Sequence, residues 1–418
     1  MSRRCGRSRT AGAVIGLLAP ILALAACSSS STSPSSASSA PASSASASSA
    51  KSSIVIAAVI DESNFMKSFD VPALDAAEIE AAKINASGGV DGRKIVFKVY
   101  NDQLQPALTR SSALAAVSAG ANVIWVTCDV DLATPAIEVG LQHGLLTVAP
   151  CIGTNEMGPS RFGAAGDLAF SFGNSPTSDG AVLAQLLTQK GWKTATVVTD
   201  KSLTYFIDVC KYFTDDYLKM GGHIVSQLTF TAGDHTAGEV GNRVAASGAS
   251  ATVACTTTTS DLPTMLTAIR TAGDQKPFVG AWSIDGAFWE PSSPTISNNI
   301  WFSTYASVFG DDPSPQVRAL YSQMAANGQT PATGGFITGP SAVQGIVYAI
   351  QRSGGSLQGS TLASVIASFH NVPTLSGPVS FSSVFHSVIG RPYAIIKVTN
   401  NKPRYVETLS PGPLDANF

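Results

Sequence analysis

Charge is scarce in this 418-residue chain, with Asp, Glu, Lys and Arg together at 13% and a formal net charge of −2. Beyond the first ten residues no cluster of Lys and Arg occurs, so the basic face that nucleic-acid binding requires is missing. Long apolar runs are lacking too. Past residue 26 no segment approaches the roughly 20 apolar residues of a membrane helix. Catalytic signatures are absent: there is no Gly-x-Ser-x-Gly elbow, no His-Glu-x-x-His, and no phosphate-cradling loop ending in Lys-Ser/Thr. The five histidines (His143, His223, His235, His370, His386) show no metal-ligand spacing and read as surface or satisfied side chains. Six cysteines contain no Cys-x-x-Cys pair. The expectation is therefore no catalytic residue, no metal and no cofactor; an enzyme would have to assemble its groups from distant segments.

The first 26 residues hold a basic stretch (Arg3, Arg4, Arg7, Arg9) followed by an apolar run from Ala11 to Ala26, the layout of a secretory signal. The run ends in Leu24-Ala25-Ala26-Cys27, which resembles a bacterial lipobox, where the cysteine thiol takes a diacylglycerol. The alternative is an ordinary signal peptide with an incidental cysteine. Residues 27–52 are almost wholly Ser, Ala and Pro after Cys27, with nothing to build a core, and are expected to stay disordered. Such a leash spans on the order of 28 Å root-mean-square. The implied place is the extracytoplasmic face of the cell membrane, by a lipid anchor on Cys27. Without the four signal arginines the balance is 22 basic against 28 acidic residues. Cys5 leaves with the signal, so Cys128, Cys151, Cys210 and Cys255 remain, and an even number in an exported chain favours disulfides.

The remaining residues exceed what one hydrophobic core usually supports, so two lobes are expected. Continuous apolar strands alternate with helices: strand Ile54–Ile60, helix from about Val71 to Asn85, strand Lys94–Tyr100, helix 108–119, strand 122–127, helix 134–143 and strand 145–149. After a Gly/Pro/Asn-rich loop the alternation restarts with helix 179–190 and strand 194–199. It continues through helix 205–220, strand 223–230, helix 238–246, strand 250–255, helix 262–272 and strand 277–281. Strands apolar along their whole length imply parallel sheets covered on both faces. The predicted fold class is α/β, two doubly wound parallel-sheet lobes, with ligands at the carboxyl ends of the strands.

Several stretches carry a resemblance. Asn85-x-x-Gly88-Gly89-Val90-x-Gly92-Arg93-Lys94-Ile95 with Tyr100-Asn101-Asp102 resembles the start of branched-chain amino-acid binding proteins of ABC transporters, of the periplasmic binding protein type 1 family. Phe170–Asp179, Tyr205 to Gly221-Gly222, and Gly377-Pro378-Val379-Ser380-Phe381 are similar to later parts of that family in order and spacing. The resemblance implies three chain passages between lobes. These place 53–172 with 304–370 in the first lobe, 173–303 with 371–409 in the second, and 410–418 as a tail. It also implies a monomer that binds a small-molecule ligand and serves an ABC transporter permease. An envelope-anchored sensor without a permease would share every residue. Each lobe then holds one cysteine pair, Cys128–Cys151 and Cys210–Cys255, the first joining ends of neighbouring strands.

Candidate ligand-binding residues follow from strand ends and the resemblance. Asp129 and Asp131 follow the third strand, and the turn with Cys151 and Thr154 follows the fourth. The two aspartates stand where the family has serines, and carboxylates repel a carboxylate ligand, so an amide, a cationic compound or another small metabolite stays open. Their plain alternative is helix N-capping or solvated turn chemistry. Tyr205 matches the family's closing tyrosine, or is a surface helix residue. Thr257 and Thr258 offer hydroxyls after a strand, or form a β-prone edge. Asp285 matches an acidic partner for a ligand ammonium, or is an exposed loop acid. Phe65 and Phe69 read as core.

Overall fold

A computed structural model describes residues 52–382 and 385–412. The export signal, Cys27 and the Ser/Ala/Pro stretch up to residue 51 lie outside the described residues, as do 413–418 of the tail.

The first sheet is built from β1 (Ile54–Ile60), β2 (Ile95–Asn101), β3 (Val123–Val126), β4 (Leu146–Ala149) and β5 (Ala169–Ser171). Between them run α1 (Lys67–Ala86), α2 (Pro106–Ser118), α3 (Val130–Gln142) and the short α4 (Pro159–Phe162). All pairings are parallel, in the order β2-β1-β3-β4-β5. Alternate residues of β1 explain the continuous apolar run: Ile54, Ile56, Ala58 and Ile60 join one core cluster, and Ala57 and Val59 the cluster on the opposite face.

The alternation restarts with α5 (Pro176–Gln189), β6 (Thr194–Asp200), α6 (Thr204–Lys219), β7 (His223–Phe230), α7 (Ala237–Ala246), β8 (Ala251–Cys255), α8 (Asp261–Thr271), β9 (Phe278–Gly280) and β10 (Ile300–Thr304). Here β7-β6-β8-β9-β10 repeats the parallel order of the first sheet. After α9 (Pro315–Ala326), α10 (Thr338–Arg352) and α11 (Gly359–Ala367) return to the core of the first sheet. The hairpin of β11 (Val372–Thr374) and β12 (Gly377–Val379) precedes β13 (Tyr393–Thr399) and β14 (Lys402–Leu409), which add two antiparallel strands to the second sheet.

The third passage differs from the expected one at residue 371. Val372, Val379, Phe381 and Val388 pack with β1, and the Phe381 ring meets Phe170 and Phe172 edge-on at 5.3 and 5.6 Å, so the chain covers the first sheet's core until Val388. It enters the second sheet at Tyr393. Helix starts also move. α3 begins four residues earlier than the apolar pattern suggests because Asp129 caps it, and α5 three earlier because Ser175 caps it with Pro176 at the first helical position. Among the described residues no helix is long and apolar enough to cross a membrane.

Candidate functional site

In a sheet of order 2-1-3-4-5 the direction in which successive strands are added reverses between the first and third strands, and a crevice opens at their carboxyl ends. Both sheets have that reversal, at β1/β3 and at β6/β8. At β1 the chain turns around Asp61, whose carboxylate accepts from the amides of Ser63 (2.9 Å), Asn64 (2.8 Å) and Met66 (3.1 Å). This turn sets Phe65 and Met66 at the head of α1. One helical turn on, buried Asp70 accepts from the Thr127 hydroxyl (2.6 Å) and the Cys128 amide (2.9 Å), tying α1 to the end of β3. Burial, opposed by these hydrogen bonds, pushes its carboxyl up to about 7.

Asp129 comes next. Its Oδ1 accepts from the amides of Asp131 (2.9 Å) and Leu132 (3.1 Å), and among the described residues no hydrogen bond reaches its Oδ2. Burial first, then repulsion from Asp131, pushes this carboxyl up to about 7. The Cys128–Cys151 disulfide, Cα–Cα 4.9 Å, joins the ends of β3 and β4.

In the second sheet Asp200 ends β6 and accepts from the Ser202 amide (2.9 Å), the Ala232 amide (3.1 Å) and the Thr256 hydroxyl (3.1 Å), the last at the end of β8. α6 follows and is joined to β8 by the Cys210–Cys255 disulfide, Cα–Cα 5.8 Å. Its second residue, Tyr205, donates its hydroxyl to Asp179 at the start of α5 (2.6 Å). Asp179 also accepts from Ser303 (2.7 Å), and burial pushes it up to about 6.

The two strand-end edges meet around one cavity of about 30 Å³. Phe65, Met66, Phe69, Cys128 and Asp129 line it from the first sheet, and Leu203, Tyr205, Phe206, Thr257, Trp282 and Ser283 from the second. Trp282 stands edge-on to Phe69 (5.2 Å) and Tyr205 (6.4 Å). Its Nε1, without a hydrogen-bond partner among the described residues, packs over Gly335, where a β-carbon would lie 3.4 Å away. A space this small admits a couple of waters, so a solute of amino-acid size requires the walls to part.

Beside the cavity, α6 is clasped to the first lobe. The Thr204 amide donates to Asp131 Oδ2 (2.7 Å), so a carboxylate of one lobe satisfies the helix N-terminus of the other. Arg161 pairs with both Asp131 and Glu156 at 2.7 Å. The Thr154 hydroxyl donates to Asp208 (2.8 Å), and Asn155 Nδ2 to the Tyr212 hydroxyl (2.9 Å). A β-carbon on Gly153 would lie 2.6 Å from Tyr205 Cε2, so the lobes touch there through bare backbone.

Of the residues singled out from sequence, the structure thus brings Asp129, Tyr205 and Thr257 to the cavity wall. Asp131 and Thr154 stand in the clasp, Cys151 is in the disulfide behind Cys128, and Thr258 does not line the cavity. Asp285 is neither a wall residue nor an exposed loop acid. Fully buried, it accepts from the Thr304 hydroxyl (2.6 Å) and the Gly334 amide (2.6 Å), and burial pushes it up to about 7. The sequence reading missed Met66, Leu203, Phe206, Trp282 and Ser283, and left Phe65 and Phe69 to the core. Their shared signal is position: each follows a first or fourth strand of a 2-1-3-4-5 run.

No curated protein matches the chain. Solved structures match its fold. The branched-chain amino acid transporter substrate-binding protein LivJ from Streptococcus pneumoniae, in complex with isoleucine, superposes with TM-score 0.73 at 18% identity, covering 86% of this chain and 99% of that one. The leucine-binding protein LivK from Thermotoga maritima gives 0.73 at 14% identity, with 86% and 99% covered. A solute-binding ABC-transporter protein from R. palustris, in complex with benzoate, gives 0.70 at 16% identity, with 86% and 97% covered. The family model described as periplasmic binding protein matches residues 53–403, and the chain belongs to that family.

Proposed function

We propose that this periplasmic binding protein captures a small metabolite, an amino acid or related compound, by closing its two lobes, and delivers it to an ABC transporter permease. Lipid on Cys27 would hold it at the extracytoplasmic face of the membrane, with residues 28–52 as the leash. The observation that carries the reading is a cavity where the strand-end edges of both sheets converge, flanked by hydrogen bonds between α6 and the opposite lobe. A ligand shifts an open–closed equilibrium only by binding one state better, and a cavity walled by both lobes exists in the closed state alone.

The first lobe takes in 53–172 and the second begins at 173. The passages lie after Phe172, after Thr304 and between Val388 and Tyr393. Asp129, Tyr205 and Thr257 are assigned to the solute, with Phe69, Phe206 and Trp282 as apolar walls. The test is mass spectrometry of small molecules retained by the purified protein, followed by small-angle scattering with and without the compound found. A retained metabolite whose addition shrinks the radius of gyration supports the proposal, and a ligand that leaves it unchanged sinks lobe closure. Membrane retention of Cys27→Ser equal to wild type would remove the anchor.

A further inference from the structure

The cavity wall is charged on one side only. Phe65, Phe69, Tyr205, Phe206 and Trp282 supply aromatic rings, and Asp129 is the one acidic residue among the lining residues, which include no Lys, Arg or His. Asp129 is 5% exposed, and both protein hydrogen bonds it accepts land on Oδ1. Arg161, whose charge is felt at Asp129, does not line the cavity and pairs with Asp131 and Glu156 at 2.7 Å each.

Three classes of solute meet this wall differently. An anion would face a carboxylate and the negative faces of aromatic rings with no cation to meet it. A neutral aromatic would match the rings but leave Asp129 Oδ2 desolvated and unpaired, at the full cost of a stranded buried acceptor. A cation with an apolar body meets both demands at once: its charge pairs with Oδ2, and its body and charge lie against ring faces in cation–π contact. We infer that the site selects small organic cations of the amine or ammonium class with an apolar or aromatic body. The carboxyl's raised proton affinity agrees, since burial and the neighbouring Asp131 outweigh the nearby charge of Arg161 there. The inference rests on the reading of this cavity as the solute site.

Three probes with one shared body separate the classes: benzylamine, benzyl alcohol and benzoate, titrated calorimetrically into the full mature chain at pH 7.5. Benzylamine should bind at least ~10-fold more tightly than benzyl alcohol, with benzoate weakest. Asn is as good a helix cap as Asp, so Asp129→Asn should fold, and it should erase the preference for benzylamine over benzyl alcohol. Benzoate binding most tightly, or an unchanged benzylamine preference in Asp129→Asn, overturns the inference. So does the absence of benzylamine binding up to millimolar concentration. The solute-binding reading is judged separately, by the compounds the wild type retains: a retained anion or neutral compound would keep that reading and reject the cation.

Discussion

Both lobes run their strands in the same order and carry an aspartate at the carboxyl end of the first strand, Asp61 just after β1 and Asp200 closing β6, yet the two do different work. In the second lobe Asp200 itself bridges β6 to the end of β8 through Thr256. In the first, Asp61 is consumed by three amides of its own turn, and the bridge to β3 passes to Asp70 on the following helix. The disulfides divide in a parallel way. Cys128–Cys151 staples two strand ends at the cavity wall, whereas Cys210–Cys255 staples α6 to the sheet beneath it. The lesson is that the first lobe fixes its wall at the strand ends, while the second fixes the helix that reaches across.

The largest expected effect breaks the comparison with pH. Asp70 and Asp129 in the first lobe, and Asp285 beyond the second-lobe wall, are each pushed by burial from 3.8 to about 7. An acid with a raised folded value binds its proton more tightly folded than unfolded. Stability is therefore greatest below about pH 4 as far as these groups go, and falls as pH rises to about 7, by at most roughly 4 kcal/mol per carboxyl. The melting temperature should be higher at pH 5 than at pH 8. Asp285→Asn should flatten that difference by its share, and a wild-type profile flat from pH 5 to 8 would contradict the burial account.

Next in size is removal of each disulfide. The sequence separations of 45 and 23 residues correspond to about 4 kcal/mol for Cys210–Cys255 and about 3 kcal/mol for Cys128–Cys151 from loop-closure entropy. The serine pair at 210 and 255 should lower guanidinium stability more. The pair at 128 and 151 should lose less stability but more solute affinity, because Cys128 lines the cavity. Equal affinity loss in both pairs would erase the division between wall and helix.

Much of this was legible in the sequence. The doubly wound lobes followed from apolar strands alternating with helices, and both cysteine pairings from the lobe assignment. Asp129 and Thr257 were reached by reading strand ends, and Tyr205 through the family resemblance. What escaped has a physical cause. Met66, Leu203 and Trp282 are apolar, and an apolar residue beside a strand reads as core until the strand order shows that it faces the other lobe. The partners of Asp285 and Asp131 were hidden for the opposite reason: an acid in a loop gives no sign of which amide it will reach, and both found backbone N–H groups far along the chain. The third passage escaped because the hairpin of β11 and β12 is too short to show periodicity.

A smaller expected effect sharpens the contact between the lobes. At Gly153 an added methyl group must displace the Tyr205 ring or keep the lobes apart. Gly153→Ala should therefore weaken solute binding by about 1–3 kcal/mol, the range for overpacking, with the melting temperature of the solute-free protein little changed. Unaltered affinity would show that α6 does not close onto this turn when solute binds.

The smallest effect isolates the clasp from the wall. Thr154 and Asp208 share one hydrogen bond across the lobes, 2.8 Å long, and neither lines the cavity. Burial raises the proton affinity of Asp208, and the Thr154 hydroxyl opposes that shift, so the bond favours the ionised carboxylate. Thr154→Val keeps the shape and deletes both this donor and the acceptor of the Glu156 amide (3.2 Å) within the first lobe; loss of the cross-lobe bond should cost about 0.5–1.5 kcal/mol of the closed state. Because the loss falls on closure and not on solute contacts, every solute the protein binds should weaken by the same factor. An Asp129 substitution, by contrast, should change the ranking of solutes. Calorimetry of two bound compounds of different charge against Thr154→Val reads this directly. A factor that differs between them would place Thr154 in contact with solute and merge the clasp with the wall.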